Sequence, residues 1–209
     1  MISDELKKLV EDNSENLLEK GIIFVDGEFN TELANRFRNQ LFTITNLGVK
    51  HVIIYINSFG GSVYDLLSMY GMLKSFEDLK ITTIANGYAM SAGAYLLCLG
   101  DIRLATPGSR IMFHELSSFC DGKLNNMKVD MAENKVLQKF LYKLTEKVIK
   151  KGKLEITKWL EKDQYLSVNQ AYRLGILTGK DFSIQIPPTE DEFEYEAQPT
   201  KEIPGQTED

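Results

Sequence analysis

The segment Gly87-Tyr88-Ala89-Met90-Ser91-Ala92-Gly93-Ala94 constrains this chain more than any other. It follows the apolar run Ile81–Ala85 and precedes Tyr95-Leu96-Leu97-Cys98. An apolar β-type run, then glycine and small residues, then a helix-compatible run predicts a strand, a tight turn and a helix. The same alternation occurs upstream. Val52–Ile56 is a near-continuous β run, as expected of a strand buried on both faces. It leads through Asn57-Ser58-Phe59-Gly60-Gly61 into a helical pattern from Val63 to Phe76. Earlier still, Gly21–Val25 is a short β run closed by the turn signal Asp26-Gly27. Asn30 or Thr31 then caps a helix to about Asn46, with Glu32 in its first turn and Leu33, Phe37, Leu41 and Ile44 at helical spacing. This β-loop-α order predicts an α/β fold of parallel strands and crossover helices.

Two more β runs follow, Ile102–Ala105 and Arg110–Phe113, split by Pro107-Gly108. Residues 125–150 form a long amphipathic pattern through Met127, Met131, Leu137, Phe140, Leu141, Leu144 and Val148, which Gly152 ends. Ile156–Glu161 predicts a short helix. Ser167-Val168-Asn169-Gln170 is a capping-box signature for another, ending near Gly175. After Ile186 the chain turns proline-bearing and acidic, which predicts a disordered tail over 187–209. Residues 1–20 read as a charged, helix-permissive segment ahead of one domain over 21–186.

Composition narrows the classes. With 209 residues, 43% of them hydrophobic, the chain holds one substantial core. A net charge of -6 and no basic run argue against a nucleic-acid partner. No apolar stretch approaches the roughly 20 residues that span a bilayer. The opening Met1-Ile2-Ser3-Asp4-Glu5 lacks the basic-then-apolar layout of a secretory signal. Cys98 and Cys120 show no CxxC spacing and sit in apolar context, so they read as reduced core thiols of a cytoplasmic protein. His51 and His114 form no metal-binding pattern, and neither a metal nor another cofactor is expected.

The chemistry gathers around Ser91. A serine at a strand-to-helix junction sits where backbone N–H groups point outward, which presents a nucleophile and stabilises an oxyanion together. Serine needs a base, and the base needs a third group to orient it. His114 follows Ile111-Met112-Phe113 at a strand end, where parallel α/β sheets collect their chemistry. His51 opens a strand at the far end and reads as an ordinary surface or core histidine. Asp163 lies just before a capped helix and is a candidate for the third group. Acids are plentiful, so the pattern alone leaves that choice open. Glu115 adjoins His114, yet strand neighbours point to opposite faces. Backbone N–H groups of the Gly60-Gly61 pair and of Ala92 are candidate oxyanion donors.

Four motifs occur in order over roughly residues 20–180. They are Tyr55-Ile56-Asn57-Ser58-Phe59-Gly60-Gly61-Ser62-Val63, Ala89-Met90-Ser91-Ala92-Gly93-Ala94, Arg110-Ile111-Met112-Phe113-His114 and Asp163-Gln164-Tyr165-Leu166-Ser167. Together they resemble the ClpP family, the proteolytic subunits of the ATP-dependent Clp protease, which are serine peptidases of crotonase-like fold. The resemblance implies repeated β-β-α units with a protruding handle, a strand plus a long helix, over about 115–150. It implies a serine endopeptidase with Ser91 as nucleophile, His114 as base, Asp163 as third member, and Gly61 and Ala92 as oxyanion-hole donors. It also implies self-assembly into two stacked seven-membered rings, a tetradecamer fed with unfolded protein by a AAA+ unfoldase ATPase. The chain departs from the family where proline is usual and Phe59 stands, a change that frees one N–H and relaxes φ in the oxyanion loop. Glu115 replaces the usual glutamine. Leu116-Ser117-Ser118-Phe119-Cys120-Asp121-Gly122 replaces a glycine-rich stretch, and residues 1–20 do not match the usual N-terminal segment. Three other readings remain at this stage. They are a catalytically silent ring subunit, a crotonase-type acyl-CoA enzyme, and a serine–lysine peptidase using Lys123 or Lys128.

Overall fold

A computed structural model describes residues 16–118, 121–149 and 153–179, and places them around one six-stranded sheet. The strands are β1 (Ile22–Phe29), β2 (His51–Gly61), β3 (Lys80–Met90), β4 (Ile102–Ala105), β5 (Arg110–Phe113) and β6 (Gln164–Ser167). The helices are α1 (Thr31–Asn46), α2 (Val63–Lys74), α3 (Ala92–Leu97), α4 (Leu124–Val148), α5 (Lys153–Leu160) and α6 (Val168–Arg173). The order across the sheet is β1-β2-β3-β5-β6, with β4 also beside β3.

The central strand β3 serves two neighbours in turn. Its first half, Thr82 to Ala85, pairs in parallel with β4. Its second half, Tyr88 to Met90, pairs in parallel with β5. The handover is held by Ser109, which is buried. Its hydroxyl donates to the Ala85 carbonyl at 3.0 Å and accepts from the Gly87 N–H at 3.1 Å. The predicted turn at Pro107-Gly108 thus sits between two strands that share one partner.

Helix signals in the sequence act as expected. The Asn30 side chain accepts from the Leu33 N–H at 2.9 Å, and α1 buries Leu33, Ala34, Phe37, Leu41 and Ile44 along one face. Ser62 caps α2 by accepting from the Asp65 N–H at 3.3 Å. The capping box of α6 is complete. Gln170 N–H reaches Ser167 Oγ at 3.3 Å, and Ser167 N–H reaches Gln170 Oε1 at 2.8 Å.

Two strands run further than the sequence pattern predicts. Asp26-Gly27 does not end β1. The pairing with β2 shifts register between Asp26 and Glu28, and Gly27 takes φ +91°. Across that shift β2 advances three residues, Asn57 to Gly60, against two on β1, so the extra residue bulges β2 and β1 runs on. Likewise β2 continues through Asn57-Ser58-Phe59-Gly60-Gly61, with a register shift between Ile56 and Ser58. The glycine pair therefore sits on a strand tied into the sheet.

The long helix α4 spans the predicted pattern. Its buried residues Leu137, Leu141, Leu144 and Thr145 lie in the second half. Leu124, Val129 and Met131, in the first half, are exposed, as is Val136. Ile149 ends it in extended backbone, and Gly152 lies outside the described residues. Residues 114–118 run in irregular backbone, so the strand implied for a handle is not present among the described residues before α4. Residues 1–15 and 180–209 also lie outside the description, and with them most of the segments expected ahead of and behind the domain. Among the described residues, no helix is long and apolar enough to cross a membrane. Cys98 is buried and free, and burial pushes its thiol up to about 12, which leaves it inert at neutral pH. Cys120 lies outside the described residues.

Adjacent positions on α1 provide a test of this packing. Leu41 is fully buried and Phe42 is 45% exposed. Leu41→Ala is expected to cost about 2–5 kcal/mol of unfolding free energy. Phe42→Ala should cost less despite removing a larger side chain, and urea midpoints of the two variants check the ordering.

Candidate active site

Ser91 is the one non-glycine residue with positive φ among those described, at φ 50° and ψ -121°. Such a backbone is unfavourable by about 1–3 kcal/mol and persists only where its surroundings impose it. Two contacts do so. The Ser91 N–H donates to the Met112 carbonyl at 2.9 Å, which prolongs the β3–β5 pairing by one residue. The Ser91 carbonyl accepts from Ala94 at 2.9 Å and Tyr95 at 3.1 Å, which starts α3 at once. The chain must therefore reverse from strand to helix at the serine, and its hydroxyl is left at the outer corner of the turn.

The approach of β2 fixes the corner from the other side. A methyl group at Gly60 would lie 2.6 Å from Ser91 Cβ and 3.0 Å from both the Ala92 nitrogen and the Met90 oxygen. Only a residue without Cβ fits, and its φ of +104° demands glycine as well. Ser58 secures this stretch. Fully buried, its hydroxyl donates to the Gly27 carbonyl and accepts from the Gly60 N–H at 3.0 Å. The Ser62 N–H reaches the Phe29 carbonyl at 2.8 Å just beyond. The loosening predicted from Phe59 in place of proline is thus offset by anchors on both sides of it.

His114 arrives through the pairing of β3 with β5. Met90 is in register with Met112, so Ser91 and His114 leave neighbouring parallel strands at one edge. His114 Nε2 lies 2.8 Å from Ser91 Oγ. The His114 carbonyl accepts the Tyr95 hydroxyl at 3.0 Å. Tyr95 is itself buried and packs edge-to-face on Phe113, with ring centroids 5.4 Å apart. Burial raises the Tyr95 pKa far above its ordinary value, so that hydroxyl remains a donor. This anchor was not legible in the sequence, where Tyr95 reads only as part of a helical run. The signal was available in principle, because a buried tyrosine needs a polar partner for its hydroxyl.

The remaining candidates divide clearly. Antiparallel pairing sets Phe113 opposite Gln164, and His114 and Asp163 lie just beyond the paired residues. The Asp163 side chain is exposed, and among the described residues the His114 ring bonds only to Ser91. Serine and histidine are thus brought together, and the Asp163 carboxylate does not join them. Glu115 lines the same cleft as His114 but bonds elsewhere. Its carboxylate accepts the Tyr142 hydroxyl at 2.9 Å, and burial together with this carboxylate pushes Tyr142 up to about 12. Lys123 and Lys128 are exposed, and neither bonds Ser91. His51 lies at the opposite end of the sheet and shares a 2.8 Å hydrogen bond with Thr82.

A cleft of about 490 Å³ opens at Ser91 and His114. Gly61 and Ala92 line it, and Leu137 and Leu141 of α4 form part of its far wall. The Ala92 N–H, at the first position of α3, has no carbonyl within its helix to bond. It is therefore available to a developing oxyanion. Among the described residues, no group of His, Cys, Asp and Glu is arranged to hold a metal ion.

Comparison with known proteins identifies the family of the chain. A sequence profile of the Clp protease family matches residues 5–179 and so takes in residues 5–20, ahead of the first motif. The "ATP-dependent Clp protease proteolytic subunit 6, chloroplastic" of Arabidopsis thaliana is 29% identical over 171 residues. That alignment covers 80% of this chain and 63% of the Arabidopsis protein.

Gly60→Ala tests the corner. The added methyl has backbone and Ser91 Cβ in its way, so reaction of Ser91 with a fluorophosphonate probe is expected to be lost while the far-ultraviolet circular dichroism of the fold is retained. Retained labelling at the wild-type rate would mean that the approach of β2 does not govern the serine.

Proposed function

The chain belongs to the Clp protease family, and from that premise we propose that it is a serine endopeptidase acting as the proteolytic subunit of an ATP-dependent complex. The single observation that carries the reading is the 2.8 Å contact of His114 Nε2 with Ser91 Oγ at a strained strand-to-helix corner. In this mechanism His114 takes the Ser91 proton as Oγ attacks the scissile carbonyl. The oxyanion is met by the N–H groups of Gly61 and Ala92. His114 then passes its proton to the leaving amine, and water resolves the acyl-enzyme by the same route. Asp163 is the group that holds the imidazole. What supports this role is that Gln164, the next residue, pairs with Phe113, the residue before His114.

Assembly follows from the same reading. The exposed apolar residues on α4 support pairing with a second copy, and the family supports two stacked seven-membered rings. Such a chamber receives unfolded protein from a AAA+ ATPase and needs no cofactor of its own. A buried free thiol at Cys98 fits a reducing compartment such as the cytoplasm. The exposed Asp163 favours one second reading, a ring subunit that stays silent and completes an active partner's ring.

Fluorophosphonate labelling of the assembled protein, mapped by mass spectrometry, decides between them. Ser91 is expected to label, and His114→Ala should abolish the reaction. Asp163→Asn should slow peptide and casein cleavage by about ten-thousandfold. An unlabelled Ser91 in the assembled state would remove the peptidase reading, and an unchanged rate in Asp163→Asn would remove Asp163 from the triad.

A further inference from the structure

Phe59 is a large apolar side chain left 67% exposed, two positions before Gly61 on the wall of the cleft. Its ring is not free to turn away from the cleft. It stacks on Tyr88 of the neighbouring strand β3, with centroids 4.1 Å apart and planes 26° from parallel. Tyr88 is half-buried and does not line the cleft. One ring therefore backs the other, and Phe59 keeps its remaining surface beside Ser91 and His114.

The stack is not required to hold the backbone. Ser58, Gly60 and Ser62 already fix this stretch through three hydrogen bonds and the contact of Gly60 with Ser91. What the stack fixes is the orientation of the Phe59 ring. A rigid, exposed aromatic surface at a reaction cleft offers contact area that costs little conformational entropy when something binds. Leaving it wet is unfavourable, and covering it with an apolar group recovers that free energy.

We propose that the Phe59–Tyr88 stack is a specificity-determining subsite that receives a flat or bulky apolar side chain of the substrate next to the scissile bond. This rests on the peptidase reading for the word substrate, and its physical content is selective binding. Peptides bearing phenylalanine or leucine there bind and orient better than peptides of small or charged residues. The selection acts through Phe59 directly and through Tyr88 as its support.

Binding without chemistry tests it. In the assembled Ser91→Ala protein, affinities are measured for two peptides of alanine and glycine that differ only by one central phenylalanine. The phenylalanine peptide is expected to bind more tightly, and Phe59→Ala should weaken it by about two- to tenfold with no change for its counterpart. Tyr88→Ala should give a smaller loss of the same selectivity, and Tyr88→Phe should retain it. Equal affinity for the two peptides, including none for either, overturns the proposal, as does an equal loss for both on removing Phe59. Because no bond is cleaved, this outcome is independent of whether wild-type Ser91 labels with fluorophosphonate, which judges the peptidase reading separately.

Discussion

The close approach of β2 to β3 at Gly60 and Ser91 is the contact on which the site depends. Parallel neighbours normally leave room for side chains between them and the next layer. Here the gap at the sheet edge excludes even a methyl group. That exclusion holds the serine in a backbone conformation it would leave if it were free to do so. The strain is borne by interactions spread over three strands. Met112 accepts from Ser91 on one side, and on the other Ser58 ties the glycine stretch to β1 through the Gly27 carbonyl. The bulge of β2 against β1 and that of β3 against β2 belong to the same arrangement, because they set the register in which Ser58 and Gly60 reach the corner.

His114 is held by different means. Its backbone is fixed by the Tyr95 hydroxyl, and the residue before it lies in an aromatic cluster with Tyr95 and Trp159. Two residues on, the Leu116 N–H donates to the side chain of Gln138 on α4. The histidine is thus positioned from the core, from α3 and from α4 together, and its ring is directed at the serine. Asp163 is not held in this way, since its side chain is exposed and does not bond the His114 ring.

Much of this was readable in the sequence, and the unread part has a consistent cause. Apolar periodicity and caps located α1, α2, α4 and α6, since those signals are local and act within a few residues. The junction at Ser91 was legible for the same reason. Asp26-Gly27 misled, because a glycine at positive φ fits a strand that faces its partner's bulge as well as a turn, and only the partner strand decides between them. Tyr95 and Ser58 were missed because their roles are made of distant partners, the carbonyls of His114 and Gly27. Phe59 was legible as a departure and misread as a loosening, since the sequence does not reveal that Tyr88 lies under it.

One helix joins the two surfaces that matter most. The buried half of α4 places Leu137 and Leu141 in the cleft wall, and its first half carries Leu124, Val129 and Met131 into solvent. A helix transmits displacement along its axis because each turn is hydrogen-bonded to the next. Within the subunit the first half is tied back to the rest of the fold, since Glu133 accepts the Tyr64 hydroxyl at 3.2 Å and the Asn134 side chain donates to the Ser118 hydroxyl at 2.9 Å. The exposed apolar side chains and the cleft wall therefore belong to one element held from both ends.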